Sequence, residues 1–473
     1  MPQRRSRIAA ALAQSELATA LADLRDGLEV PPFTSEALAE AASASVAAPS
    51  LDLREVPFAT LDPVGSRDLD QAFHLQRAGT GFTVRYAIAD VPAFVAPGGA
   101  LDAVARSRGE TLYAANGSLP LHPRVLSERR ASLLPGVERP ALVWTFSLDA
   151  EGAVGDVRLE RALIRSRMQL DYAGTQRALD AGEEHPASLL PEIGRLRIEQ
   201  EVRRGGASLN LPDDEVVRRD DGSYGIERRS PLPVEEWNAQ LSLMAGMAAA
   251  QLMLEARIGI LRVMPQPDDD AFATFRRQTT ALGVPWTQGR YGDYLRALDR
   301  DDPRTLPVLE AATSLFRGAG YRAFDGELPD ERTQSAIATP YAHATAPLRR
   351  LVDRWSLTIA LAVSEGNPVP EWVRESLPEV PGLMQASGQR SSQLASRTFD
   401  FVEAALLAPH VGEVFTALVI RVNASGNGVV QLSEPAVTAA VALPPGATAG
   451  ETVRVLLTAA DVAKGHVAFA TGA

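Results

Sequence analysis

Thr60 to Phe73 reads TLDPVGSRDLDQAF and carries three aspartates, Asp62, Asp68 and Asp70. Pro63 and Gly65 interrupt the chain between two strand-like runs, Val56 to Leu61 and Ala72 to Leu75, so the carboxylates belong to a loop that gathers negative charge. Carboxylates this close raise one another's pKa unless a cation or an arginine neutralises them. Oxygen donors in a chain without cysteine suit a hard ion, magnesium first and manganese as a substitute. A solvated acidic turn uses the same residue types, and on spacing alone both readings stand.

Working outward, Gly81 to Asp90 (GFTVRYAIAD) is a strand that ends on an aspartate, placed either to face the acidic loop or to cap a turn. Arg108 to Leu121 is a loop carrying Tyr113 among small residues, where an exposed ring can stack on a base and a buried one can pack. Ala141 to Leu148 and Arg158 to Arg165 read as two strands of a meander. From Tyr172 the pattern is mostly helical: Ile193 to Arg204, a long core helix from Pro233 to Ile258, Asp269 to Leu282, Leu306 to Phe316 and Gln389 to Leu406. Glu235 and Glu236 fall in the first turn of the long helix, where the dipole alone favours carboxylates.

Tyr341 to Arg354 reads YAHATAPLRRLVDR. Arg349, Arg350 and Arg354 cannot share one helical face, so one of the first two can point into a site while the others pair with Asp353 or water. Pro347 suits a helix start and would place Arg349 in a first turn, where free backbone amides can hold a phosphate. After residue 409 five short strand-like runs within some sixty residues predict a small closed barrel of the OB type. Its candidate nucleic-acid contacts are few: Phe415, Arg421, Lys464 and His466.

Length bounds the rest. A chain of 473 residues exceeds one compact core and predicts two to four domains. The N-terminal basic and alanine-rich stretch is broken by Gln14, Ser15 and Glu16 and continues as an amphipathic helix, so an amphipathic helix is expected rather than a signal peptide, and a cytoplasmic protein. Helices are expected over Arg7 to Leu28 and Ser35 to Ala47, either as a docking segment or as a helix-turn-helix-like nucleic-acid contact beside Arg4, Arg5 and Arg7. A net charge of -12 argues against a protein that grips nucleic acid over its whole surface, but not against a local basic channel.

The acidic stretch, the strand ending IADV, the RG-x3-Y loop, LLPGVERPAL, VEEWN and YAHATAPLRRLVD occur in one order over roughly residues 51 to 470. That order resembles the ribonuclease II and ribonuclease R family. The resemblance implies an α+β fold in which the small helical module read at 1–48 is followed by an RNB catalytic domain with a mixed sheet and helices (49–406) and a C-terminal OB-fold barrel that binds RNA (409–473). It further implies a processive, magnesium-dependent 3′-to-5′ exoribonuclease that acts on single-stranded RNA and releases nucleoside 5′-monophosphates. Asp62, Asp68 and Asp70 match three of four active-site aspartates, and Arg349 an arginine that faces the scissile phosphate. Tyr113 matches the aromatic clamp on the terminal nucleotide, Tyr172 a tyrosine that contacts RNA, and Glu236, in preference to Glu235, a glutamate near the ribose. Arg350 joins them as an RNA contact, with Arg165, Arg167, Arg203 and Arg204 as further lining candidates.

Two departures stand out. Gln71 occupies the fourth aspartate's position, where its neutral amide oxygen would be a weaker metal ligand; on that reading Gln71→Asp leaves or lowers the magnesium requirement. Upstream, about fifty helical residues stand where the family usually has cold-shock barrels, so the helices are expected to line part of the RNA entrance. A catalytically weakened RNA-binding scaffold is the competing reading, while a calcium loop lacks the EF-hand spacing. Nothing in the sequence demands an oligomer, and a monomer is expected.

Overall fold

The computed structural model describes residues 2–207, 213–219, 221–299, 302, 304–423, 426–432, 434–435 and 437–471. Its centre is a seven-stranded sheet: β1 (Leu51–Asp52), β2 (Ala59–Asp62), β3 (Gln71–Ala78), β4 (Gly81–Ala89), β5 (Glu138–Leu148), β6 (Val154–Arg165) and β7 (Met168–Asp171), in the order β1-β6-β5-β4-β3-β2-β7. The pairs β1–β6 and β2–β7 are parallel and the remainder antiparallel, giving the expected mixed sheet. Side-chain alternation assigns its faces. Phe82, Tyr86, Ile88, Trp144 and Phe146 enter one apolar core with the long helices. Ala87, Ala89, Ala141, Val143 and Ala162 enter a second core on the other face, where small residues let loops and short helices approach closely.

Among the helices that surround the sheet and the barrel are α1 (Pro2–Gly27), α2 (Ser35–Ser43), α3 (Tyr172–Asp180), α4 (Leu190–Arg204), α5 (Pro233–Ala256), α6 (Val352–Ser364) and α7 (Val380–Leu407). The expected long helix stops at Ala256 because Arg257 adopts a left-handed conformation (φ 56°) and the apolar run Ile258–Val263 becomes a strand paired with Gly320–Asp325. A second hairpin, Asp213–Arg218 with Tyr224–Arg229, also interrupts the region read as helical. Both runs are β-rich but short, and periodicity alone does not separate such strands from helix.

At the C-terminus β8 (Val414–Val422), β9 (Asn427–Leu432), β10 (Thr438–Ala442), β11 (Thr452–Asp461) and β12 (His466–Thr471) form the five predicted strands, in the order β10-β9-β8-β11-β12. The barrel is nearly closed: the edge strands β10 and β12 meet without a shared ladder, and the Thr471 hydroxyl donates to the Ala442 carbonyl at 2.7 Å. The N-terminal helix docks. Ala13, Leu17, Ala20 and Leu21 share an apolar core with Phe401, Val402 and Ala405 of α7, Val462 of the barrel and Tyr224 of the second hairpin. Side chains of Arg4, Arg5 and Arg7 lie outside the described residues. Among the described residues no helix is long and apolar enough to cross a membrane.

Candidate active site

Strands β2 and β3 pair only at Ala59 and Phe73, so residues 63–70 leave the sheet as a loop. Pro63 starts a turn closed by the Ser66 amide at 3.2 Å, and Gly65 takes φ +83°, which a side chain would strain. Ser132 holds the loop's far end: its hydroxyl donates to the Arg67 carbonyl at 2.7 Å and accepts the Leu69 amide at 2.9 Å. Ser132 and Leu133, whose amide donates to the Leu69 carbonyl at 3.0 Å, therefore anchor the acidic loop, a role that the local sequence did not reveal.

The three aspartates differ in what they meet. Asp62 ends β2, its Oδ2 is buried without a hydrogen-bond partner, and burial lifts its carboxyl to about 7, opposed by Arg349 and reinforced by Asp68. Asp70 is almost fully buried; burial holds its pKa well above the ordinary carboxylate range, again against the pull of Arg349. Its Oδ1 accepts the Leu348 amide at 2.8 Å, and its Oδ2 lies 3.5 Å from the Arg349 guanidinium. Asp68 is half-buried and accepts the Tyr113 hydroxyl at 3.4 Å. Tyr113 itself, on a short hairpin (Leu112–Ala114 with Gly117–Leu119), is 59% exposed, so the ring offers a face to a ligand rather than to the core.

Arg349 reaches the acidic loop from a turn, not from the first turn of a helix. Leu351 donates its amide to the Gly109 carbonyl and Thr111 donates to the Arg349 carbonyl, both at 2.9 Å, and this pairing delays α6 until Val352. The Leu348 amide, which the helix-start reading left for a phosphate, is spent on Asp70. Buried Asp353 fixes the turn: one carboxylate oxygen accepts the Thr345 and Ala346 amides at 2.7 Å each, and the group pairs with Arg350 at 2.9 Å. Arg350 is thus committed to Asp353 with only 22% of its side chain exposed, whereas Arg349 keeps 48%. Arg350, expected as an RNA contact, therefore offers less of its guanidinium to a ligand than Arg349 does.

Tyr172 starts α3 beside the site because the β2–β7 register sets Asp62 against Asp171, and its hydroxyl accepts from Asn238 at 3.5 Å. Glu235 is occupied by capping, accepting the Leu232 amide at 2.9 Å and pairing with Arg229 at 2.7 Å, and Glu236 stands beside it in the same first turn. Asp90 does not join the acidic loop: fully buried, it binds Arg161 at 2.6 Å. The other lining candidates are engaged as well, Arg165 and Arg167 with Glu55, Arg203 with Glu199, and Arg204 with the Ile337 carbonyl. Gln71 is bonded at both ends within the protein. Its amide donates to the Thr345 carbonyl at 2.6 Å and its oxygen accepts the Tyr86 hydroxyl, so the residue expected as a metal ligand also forms a structural link.

Among the described residues no group of three or more His, Cys, Asp or Glu side chains is arranged to hold a metal ion. The donor chemistry nevertheless suits a hard divalent ion, because a desolvated carboxylate with an unpartnered oxygen, Asp62, stands beside two further carboxylates. A coordination sphere here has to be completed by oxygens from outside the protein, as magnesium ordinarily does with water and phosphate.

The RNB domain model matches residues 50–359, and that of the RNase II-type exonuclease C-terminal S1 domain matches residues 413–471. Ribonuclease R of Escherichia coli (strain K12) is 24% identical over 409 residues, covering 80% of this chain and 49% of that protein. The probable exosome complex exonuclease RRP44 of Caenorhabditis elegans is 28% identical over 327 residues, 64% of this chain and 33% of the other. The chain thus spans about half or less of the length of these curated relatives. Among solved structures, the apo form of Mycoplasma genitalium RNase R superposes with a TM-score of 0.87 at 17% identity, covering 97% of this chain and 78% of that one. Yeast Ssd1, described as a pseudonuclease, gives 0.71 at 18% identity over 87% and 51% of the two chains.

Proposed function

Because the chain belongs to the RNB family, we propose that it is a magnesium-dependent 3′-to-5′ exoribonuclease that degrades single-stranded RNA processively to nucleoside 5′-monophosphates. The observation that carries the reading is the meeting of Arg349 with Asp70 at 3.5 Å and of exposed Tyr113 with Asp68 at 3.4 Å, which joins a cation, carboxylates and a stacking ring at one point.

In this reading Tyr113 stacks on the terminal base and Tyr172 and Glu236 hold the ribose. Asp62 and Asp68 would hold magnesium, and a bound ion supplies an activated water and stabilises the departing 3′ oxygen. Asp70, fixed by the Leu348 amide, orients the attacking water. Arg349 neutralises charge as it grows on the phosphoryl oxygens, and its incomplete pairing with Asp70 leaves guanidinium N–H groups for that task. The reading further makes the chain a cytoplasmic monomer with α1 and α2 beside the RNA path.

One observation favours a second reading. The missing fourth carboxylate at Gln71, together with a fold shared by a pseudonuclease, is what a catalytically weakened RNA-binding scaffold would have. A time course on 5′-labelled single-stranded RNA, with magnesium or chelator and beside DNA of the same sequence, separates them. A 3′-to-5′ ladder that needs RNA, metal and Asp70, and is absent for Asp70→Asn, supports the exonuclease; tight binding without cleavage under magnesium and manganese supports the scaffold.

A further inference from the structure

We infer that Gln71 is a positioning residue, a neutral cross-link that fastens the arginine-bearing turn to the acidic strand, and that this chain is built around its amide rather than around a fourth carboxylate. The inference deepens the proposed exonuclease and rests on it only for its kinetic test.

The orientation of Gln71 follows from hydrogen-bond chemistry. The Thr345 carbonyl can only accept, so the NH2 end of Gln71 faces it, at 2.6 Å. The oxygen is then left for the Tyr86 hydroxyl, which can donate to it. Tyr86 is 1% exposed and sits on β4, two residues along from the residue paired with Gln71, since the register sets Gln71 against Ile88 and Phe73 against Tyr86. Thr345 is held from three further directions: its hydroxyl lies 2.9 Å from that of Ser242 on α5, and its own amide and that of Ala346 donate to Asp353. Two adjacent residues at the start of β3 therefore hold one turn at two points, Asp70 through the Leu348 amide and Gln71 through the Thr345 carbonyl. Arg349 is the next residue along.

An aspartate at position 71 cannot make this link. It is one methylene shorter and, ionised, has no proton to give a carbonyl. It would also set a further negative charge beside Asp62 and Asp70, both already desolvated. Restoring the family's carboxylate should thus loosen the arginine turn instead of improving metal binding.

The test has a metal-free arm and a kinetic arm, on Gln71→Asp, Gln71→Met and Tyr86→Phe in the full chain. In chelator, hydrogen exchange of the Thr345, Ala346 and Leu348 amides should accelerate about tenfold or more in both Gln71 variants, and less in Tyr86→Phe, which keeps the Thr345 bond. In magnesium, kcat should fall about tenfold or more while KM for RNA and the half-saturating magnesium concentration stay within about threefold. Unchanged exchange in that turn overturns the inference, as does Gln71→Asp raising kcat or lowering the half-saturating magnesium. If the Gln71 variants do not fold, Tyr86→Phe, which removes the bond that orients the Gln71 amide, decides by exchange alone: a smaller but measurable acceleration at Thr345, Ala346 and Leu348 supports the link, and wild-type rates overturn it. A wild-type chain that cleaves no RNA removes the proposed activity, and the exchange arm still judges the link.

Discussion

Two acid–arginine clusters lie along one segment, and they are built to opposite ends. In one, Arg354 and Asp102 meet at 2.5 Å with only 2% of either side chain exposed, and Arg354 also donates to the Val95 carbonyl. In the other, Arg349 approaches Asp70 at 3.5 Å with half of its side chain in solvent, next to an Asp62 oxygen that has no partner. The first is closed to solvent: each charge has its partner, although the buried Arg354 Nε lacks a hydrogen bond, and the value of the pair is to the fold. The second is left incomplete, which costs stability and is tolerated where a ligand completes it. Residue type does not distinguish these clusters; solvent exposure does, with 2% of the Arg354 side chain exposed against 48% of that of Arg349.

The widest gap between the clusters should appear in stability. Arg354→Ala leaves Asp102 buried without its main partner and should cost about 3–5 kcal/mol, read by denaturant unfolding, with turnover per folded molecule unchanged. Arg349→Ala should do the reverse: little change in unfolding, and a loss of about 10²–10³-fold in single-turnover cleavage with RNA affinity largely kept. Equal stability losses in the two variants would erase the distinction.

A third acidic group sharpens it. Glu403, on α7 against the barrel, is pushed up to about 7 by burial, with the Thr438 amide opposing and Asp400 and Asp214 adding to the rise. A folded-state pKa above the unfolded value means that the folded chain binds the proton more tightly. Its contribution is full below about 4.5 and is lost as pH rises towards 7. Glu403→Gln should therefore flatten the fall in melting temperature between pH 5 and 8 and gain at most about 3 kcal/mol at pH 8. An unaltered profile would mean that water reaches the carboxylate. The smallest effect belongs to Tyr113: Tyr113→Ala should weaken RNA binding by about 1–3 kcal/mol, while Tyr113→Phe, which gives up only the 3.4 Å contact to Asp68, should bind nearly as the wild type.

What was legible in the sequence was whatever repeats locally. Alternation gave the β3 to β6 strands and the five barrel strands, and Pro63 and Gly65 marked the loop that lifts the acidic residues from the sheet. The Arg350–Asp353 pairing was foreseeable from three-residue spacing. Contacts between distant segments were not. Gln71 looked like a diminished ligand because its partners, Tyr86 and Thr345, lie on another strand and in a turn more than 270 residues away. Arg349 was expected in a helical first turn because Pro347 favours one, and tertiary pairing with residues 109–111 prevailed over that preference. The two hairpins inside the helical region were missed because short β-rich runs have no periodicity long enough to identify them.

The docking of α1 against α7 and the barrel has a consequence in time. Leu17 and Leu21 bury themselves against Phe401, Val402 and Val462, residues that a ribosome adds some tens of seconds after it has released the helix. During that interval an alanine- and leucine-rich amphipathic segment has no native partner for its apolar face. Those contacts form only once α7 and the residues around Val462 have been made, so α1 settles after the segments that separate it from them.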